Sequence, residues 1–89
     1  MKGSIVLNNS AGRALRRTIT DVHARDVLDC AGGFNAGDIV YIAFRAVDGG
    51  QYVIATAVIG YDEGQLRRTM LADADTIVVR DQQIKLLWP

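Results

Sequence analysis

Apolar residues along this chain fall in short runs whose spacing alternates between strand-like and helix-like. Gly3-Ser4-Ile5-Val6-Leu7 is a brief β-branched run and predicts a strand. Asn8-Asn9-Ser10 follow as turn and helix-capping residues. From Ala11 to Arg17 the period becomes helical. Ala11, Ala14 and Leu15 share one side, and Arg13, Arg16 and Arg17 share another. Thr18 and Thr20, poor helix formers, end that helix. The stretch from Thr18 to Arg25 has no readable period. Val27–Cys30 predicts a short strand, and Gly32–Asp38 a turn-rich link. Ile39–Phe44 and Gln51–Ile59 predict two longer strands around a hairpin turn at Asp48-Gly49-Gly50. Both strands carry apolar residues on both faces, as strands buried inside a barrel or sandwich do. A second helix begins at Asp62 or Glu63, turns Leu66, Met70 and Leu71 inward and Arg67 and Arg68 outward, and ends at Asp73-Ala74-Asp75. Thr76–Val79 and Ile84–Trp88 predict the last two strands, with a turn at Arg80–Gln83.

The resulting order is β-α-β-β-β-α-β-β, without repeat, linker or low-complexity segment. Short strands with polar turns point to a mainly β, α+β architecture: a small mixed β-barrel or pseudobarrel with two short helices. Barrel closure removes exposed sheet edges in so short a chain. The expected core is Ile39, Val40, Ile42, Phe44, Val53, Ile54, Ala55, Val58, Leu66, Ile77, Val79 and Leu86. A length of 89 residues fits one domain, 1–89.

Composition narrows the function classes. With 49% hydrophobic and 22% charged residues the chain is globular rather than disordered. Ten basic and ten acidic residues cancel, which excludes a strongly basic nucleic-acid arm and an acidic tail. One cysteine and one histidine make neither an internal disulfide nor a multi-ligand zinc site, so no metal and no cofactor are expected. No apolar run approaches the roughly 20 residues of a membrane span. The first residues lack the charged-then-apolar build of a signal peptide. The expectation is a cytoplasmic protein with no membrane partner.

Candidate chemistry is sparse. His23 and Cys30 could form a catalytic dyad only if the fold brought thiol and imidazole within hydrogen-bond reach, whereas a small buried strand cysteine is the commoner case. His23 with Asp21 or Asp26 would hold a metal weakly at best. Gly32-Gly33 and Gly49-Gly50 lack the spacing and lysine of a phosphate loop and suit turns. Asp62 and Glu63 suit the positive end of a helix. No catalytic residue is expected, and the chain is read as a non-enzyme. Eight of the ten basic residues are arginine, which makes planar, bidentate contacts to phosphate or carboxylate. Arg13, Arg16 and Arg17, with Arg67 and Arg68, are therefore the candidate contacts to RNA or to a protein partner.

Gly33-Phe34-Asn35-Ala36-Gly37-Asp38-Ile39-Val40-Tyr41-Ile42 resembles the G-x-F-x-x-G-D-x-V-x-I run of PUA domains, which are named for pseudouridine synthases and archaeosine transglycosylases. Ile54-Ala55, Gly60-Tyr61-Asp62 and Leu66-Arg67-Arg68 resemble a segment typical of the PUA domain at the C-terminus of glutamate 5-kinases. Gly3–Leu7 with Ala14-Leu15-Arg16, and more loosely Val78-Val79-Arg80-Asp81, are similar to its opening and closing pieces. The resemblance covers almost the whole chain. It departs at Thr18–Arg25, where the family usually carries a glycine- and proline-containing loop that, with the first helix, approaches RNA in the RNA-binding members. Asp21 stands in that stretch. The resemblance implies a non-catalytic accessory or regulatory domain of a proline-biosynthesis kinase, docking to an amino-acid kinase domain or to itself. The alternative it implies is a stand-alone module that recognises structured RNA through an arginine face.

Overall fold

The computed structural model describes residues 3–87. Along the chain run β1 (Gly3–Leu7), α1 (Asn9–Arg17), β2 (Val22–His23), β3 (Val27–Ala31), β4 (Ile39–Arg45), β5 (Gln51–Val58), α2 (Glu63–Ala72), β6 (Ile77–Val79) and β7 (Ile84–Leu86). Single 3-10 turns at Ala24–Asp26 and Asp81–Gln83 lead into β3 and β7. Five strands form one sheet in the order β3-β1-β4-β5-β7, and β2 pairs with β6 in a second. β1 runs parallel to β4, while the other pairs are antiparallel. This is the mixed α+β class that the pattern predicts.

Local chemistry explains where the elements stop and start. The Asn8 side chain accepts the Ala11 N–H at 2.7 Å and caps α1. The Thr18 N–H returns to the Ala14 carbonyl at 3.1 Å and closes it. Arg16 and Arg17 fill its last turn, where cations suit the helix dipole. Asp62 caps α2 by accepting the Gln65 N–H at 2.7 Å, and the Gln65 side chain accepts the Asp62 N–H at 3.0 Å. Between β4 and β5 the chain turns at Gly49, whose φ of 89° favours glycine. The Asp48 carboxylate accepts the Gly50 N–H and steadies that turn.

The core lies on one face of the five-stranded sheet. Ile5 and Leu7 of β1 oppose Ile42 and Phe44 of β4, Ile42 opposes Ala55, and Val40 opposes Ala57. All of these are buried. α1 closes one end, with Leu15 buried and Gly12 pressed against Phe44. α2 closes another end against β3 and the Ala24–Asp26 turn, through Leu66. Phe34, from the link before β4, is buried in the same core, with its ring against Gly3 of β1 and its carbonyl accepting the Glu63 N–H at the start of α2.

Four expectations are corrected by this arrangement. Ile39, Val53 and Val58, expected in the core, are exposed at 48%, 44% and 37%. Two helices of nine and ten residues cover one face of the five strands; on the other face Val6 and Ala43 are buried, while Ile39, Val53 and Val58 stay in water. Leu71, expected inward, is 91% exposed, because α2 buries a stripe centred on Leu66 and half-buried Met70. Ile77 and Leu86 are only half-buried. The unreadable stretch after α1 holds two-residue β2 and a 3-10 turn, both too short to produce a period. The last predicted strand ends at Leu86, and Trp88 lies outside the described residues.

Candidate functional site

Arg13, Arg16 and Arg17 are all exposed on α1. Residues three and four apart are neighbours on a helix surface, so the three guanidinium groups form one basic face. None has an ion-pair partner among the described residues. Beside them lies a groove between α1 and Thr20–Asp26, lined by Ser10, Ala14, Asp21, His23 and Asp26. The Asp21 carboxylate accepts the Asp81 N–H at 2.8 Å. The Asp26 carboxylate accepts the His23 N–H at 3.0 Å. The floor of this groove carries the carboxylates of Asp21 and Asp26.

The two arginines of α2 play unlike parts. Arg67 donates from Nη2 to the Cys30 carbonyl and from Nε to Glu63 at 3.1 Å, with Nη1 3.6 Å from Asp29. It is a strap between α2 and edge strand β3. Arg68 is exposed beside a shallow groove lined by Tyr61, Gln65, Thr69, Asp73 and Thr76. α1 seats on β4 and α2 on β3 and the Ala24–Asp26 turn, so the two helices rest on different parts of the framework.

Glu63 belongs to the same strap. Its carboxylate accepts the Gly33 N–H at 2.7 Å as well as the Arg67 bond, and these two contacts hold it below the usual carboxylate range. A lowered folded-state pKa stabilises the fold above the unfolded value and ceases to do so as pH falls through the folded one. The melting-temperature gap between the wild type and Glu63→Ala should therefore be open at neutral pH and close in acid. Thermal melts across that range, followed by circular dichroism, check this. A gap independent of pH would contradict it.

Cys30 is buried, and burial pushes its thiol up, with Arg67 only partly opposing. A nucleophilic cysteine needs the opposite shift. His23 faces Asp26, its Nδ1 3.8 Å from the carboxylate. Among the described residues no three His, Cys, Asp or Glu side chains gather as a metal site.

The residues that the sequence reading missed lie on the open face of the sheet. Ile39 and Tyr41 alternate with buried Val40 and Ile42. Ile39 opposes Val58, Tyr41 opposes Thr56, and Ala43 opposes Val53 across a bulge. Tyr41 is 40% exposed, and it joins Ile39, Val53 and Val58 in an apolar strip facing water. A signal for this face was present: Ser4, Thr56 and Lys85 are the polar members of the cross-strand row through Tyr41.

No protein-family model matches this sequence, and neither does any curated protein. Solved structures do match. A PUA domain from Aeropyrum pernix K1, crystallised as a tartrate complex, superposes with a TM-score of 0.79 at 20% identity, over 100% of this chain and 45% of that one. The chain has the PUA fold. A conserved PUA domain protein from Thermoplasma acidophilum gives 0.66 at 17% identity, over 86% of this chain and 45% of that one. NSun6 from Pyrococcus horikoshii, solved with SFG, gives 0.63 at 17% identity, over 98% of this chain and 19% of that one. This chain spans less than half the length of each of these three. In NSun6 the PUA fold is therefore a small part of a much longer chain. Among the described residues of the PUA fold seen here, no helix is long and apolar enough to cross a membrane.

Proposed function

We propose that this chain is a non-catalytic accessory domain that acts by docking, of the kind that resembles the C-terminal domain of glutamate 5-kinases. The observation that carries this reading is the open sheet face of Ile39, Tyr41, Val53 and Val58. Contiguous apolar surface rimmed by polar residues marks a protein-interaction surface. The buried, up-shifted thiol and the lack of a phosphate loop support a role without chemistry of its own. The amino-acid kinase domain of a glutamate 5-kinase, purified alone, is the partner to titrate. Saturable binding, lost in Tyr41→Asp and kept when Arg13, Arg16 and Arg17 are replaced by serine, is the expected result. Kinase binding that survives Tyr41→Asp, or no binding of any PUA-bearing kinase domain, would count against it.

Arg13, Arg16 and Arg17, exposed and without ion-pair partners among the described residues, favour a second reading, recognition of structured RNA. The acidic floor of the neighbouring groove, with Asp21 and Asp26, opposes close approach of phosphates and places this reading second.

A further inference from the structure

We propose that α2 is a movable guard over the free edge of β3, latched by Arg67, and that the unlatched edge pairs with β3 of a second copy of this chain. The inference stands apart from the docking reading above, because it concerns backbone groups at a sheet edge and not an apolar face. The five-stranded sheet ends in β7 on one side and β3 on the other. β7 has three residues, with exposed Lys85 in the middle. Shortness and a lysine are two ordinary defences of an edge against a foreign strand. β3 has five residues and no lysine, and among the described residues no strand lies beyond it.

The defence of β3 is a set of side-chain hydrogen bonds. In an antiparallel pair, residues alternately bond their partner and turn both backbone groups away from it. Cys30, opposite Ile5, turns both away. Its N–H donates to Asp29 Oδ1 at 2.8 Å, and its carbonyl accepts from Arg67 Nη2. The donor and the acceptor that an added strand would need are therefore both taken. Arg67 Nη1 lies 3.6 Å from that same Asp29 oxygen, so one guanidinium steadies both caps. Arg67 is aimed by Glu63, which is itself anchored on the Gly33 N–H. The latch matters because α2 has little other hold: of its ten residues only Leu66 is buried. Elements with few buried contacts are the first to open.

The sequence of β3 suits a second copy of itself. In an antiparallel pair centred on Cys30, the two Cys30 residues exchange both N–H···O bonds, as the twofold symmetry of an isologous contact requires. Asp29 then falls opposite Ala31 of the other copy, so no like charges meet across the new pair.

Sedimentation velocity of the 89-residue chain, from micromolar to millimolar concentration, tests this. Arg67→Ala should form a reversible dimer at least about tenfold tighter than any the wild type forms. In the Arg67→Ala background, Ala31→Lys sets a cation opposite Asp29 of the second copy and Ala31→Asp sets a carboxylate there. The first should dimerise about tenfold more tightly than the second, since each change acts twice by symmetry. Gly12→Ala, which disturbs α1 and leaves the latch alone, should associate no more than the wild type. Glu63→Gln, which loosens the latch and keeps Arg67, gives the same comparison if Arg67→Ala does not fold. In the wild type, hydrogen exchange should release the amides of α2 before those of β4 and β5. A folded Arg67→Ala that associates no more than the wild type overturns the proposal. So does association indifferent to the charge at Ala31, equal association of Gly12→Ala, or an α2 that exchanges only together with β4 and β5.

Discussion

Replacing Gly12 with valine should detach α1 from the sheet and lower stability by about 3 kcal/mol, the upper part of the range for overpacking. A Cβ built at Gly12 would lie 2.2 Å from Phe44 Cβ and 2.4 Å from Phe44 Cγ. Phe44 Cβ is attached directly to the β4 backbone, so it cannot swing aside as the end of a flexible side chain would. Gly12→Ala meets the same wall. Alanine normally gains roughly 1 kcal/mol over glycine in a helix, so a stabilised Gly12→Ala would mean that α1 does not sit on Phe44. Urea unfolding of the two variants beside the wild type gives both numbers.

Ile42→Ala should cost about 2–5 kcal/mol, whereas Ile39→Ala, three positions earlier on the same strand, should stay within about 0.5 kcal/mol. Ile42 is fully buried between Ile5 and Ala55. Its removal leaves a cavity that rigid neighbouring strands cannot collapse to fill. Ile39 stands on the open face, half in water already. The contrast tests whether the sheet has one dry face or two. Comparable costs at both positions, measured by chemical denaturation, would show that something covers the open face in the isolated chain.

That pair also shows how far the fold was legible. Elements with a period announced themselves: α1 through Ala11 and Leu15, β4 and β5 through their apolar runs, and α2 through its Asp62 cap. Segments of two or three residues, such as β2, have no period to read, because their pairing with β6 comes from tertiary contact. The open face was hidden for a different reason. Ile39, Tyr41 and Val58 look like core on hydrophobicity alone, and only the register that aligns them with Ser4, Thr56 and Lys85 shows which side they take. Likewise, Arg67 and Arg68 are adjacent and identical in sequence. One is a strap bound to Cys30, Glu63 and Asp29, and the other faces solvent, a difference set by where α2 meets β3.

Two surfaces compete as the working face of this domain: the apolar strip on the sheet and the arginine face on α1. Serine in place of Arg13, Arg16 and Arg17 together should change folding stability by no more than about 0.5 kcal/mol, since all three side chains are exposed. A titration of structured RNA into the wild type and this triple variant, at low and at physiological salt, separates the two surfaces most directly. Docking through the sheet face predicts weak RNA binding that disappears at physiological salt, because unspecific phosphate contacts release counterions and fade as salt rises. Tight, saturable binding of the wild type at physiological salt, lost in the triple variant, would contradict it.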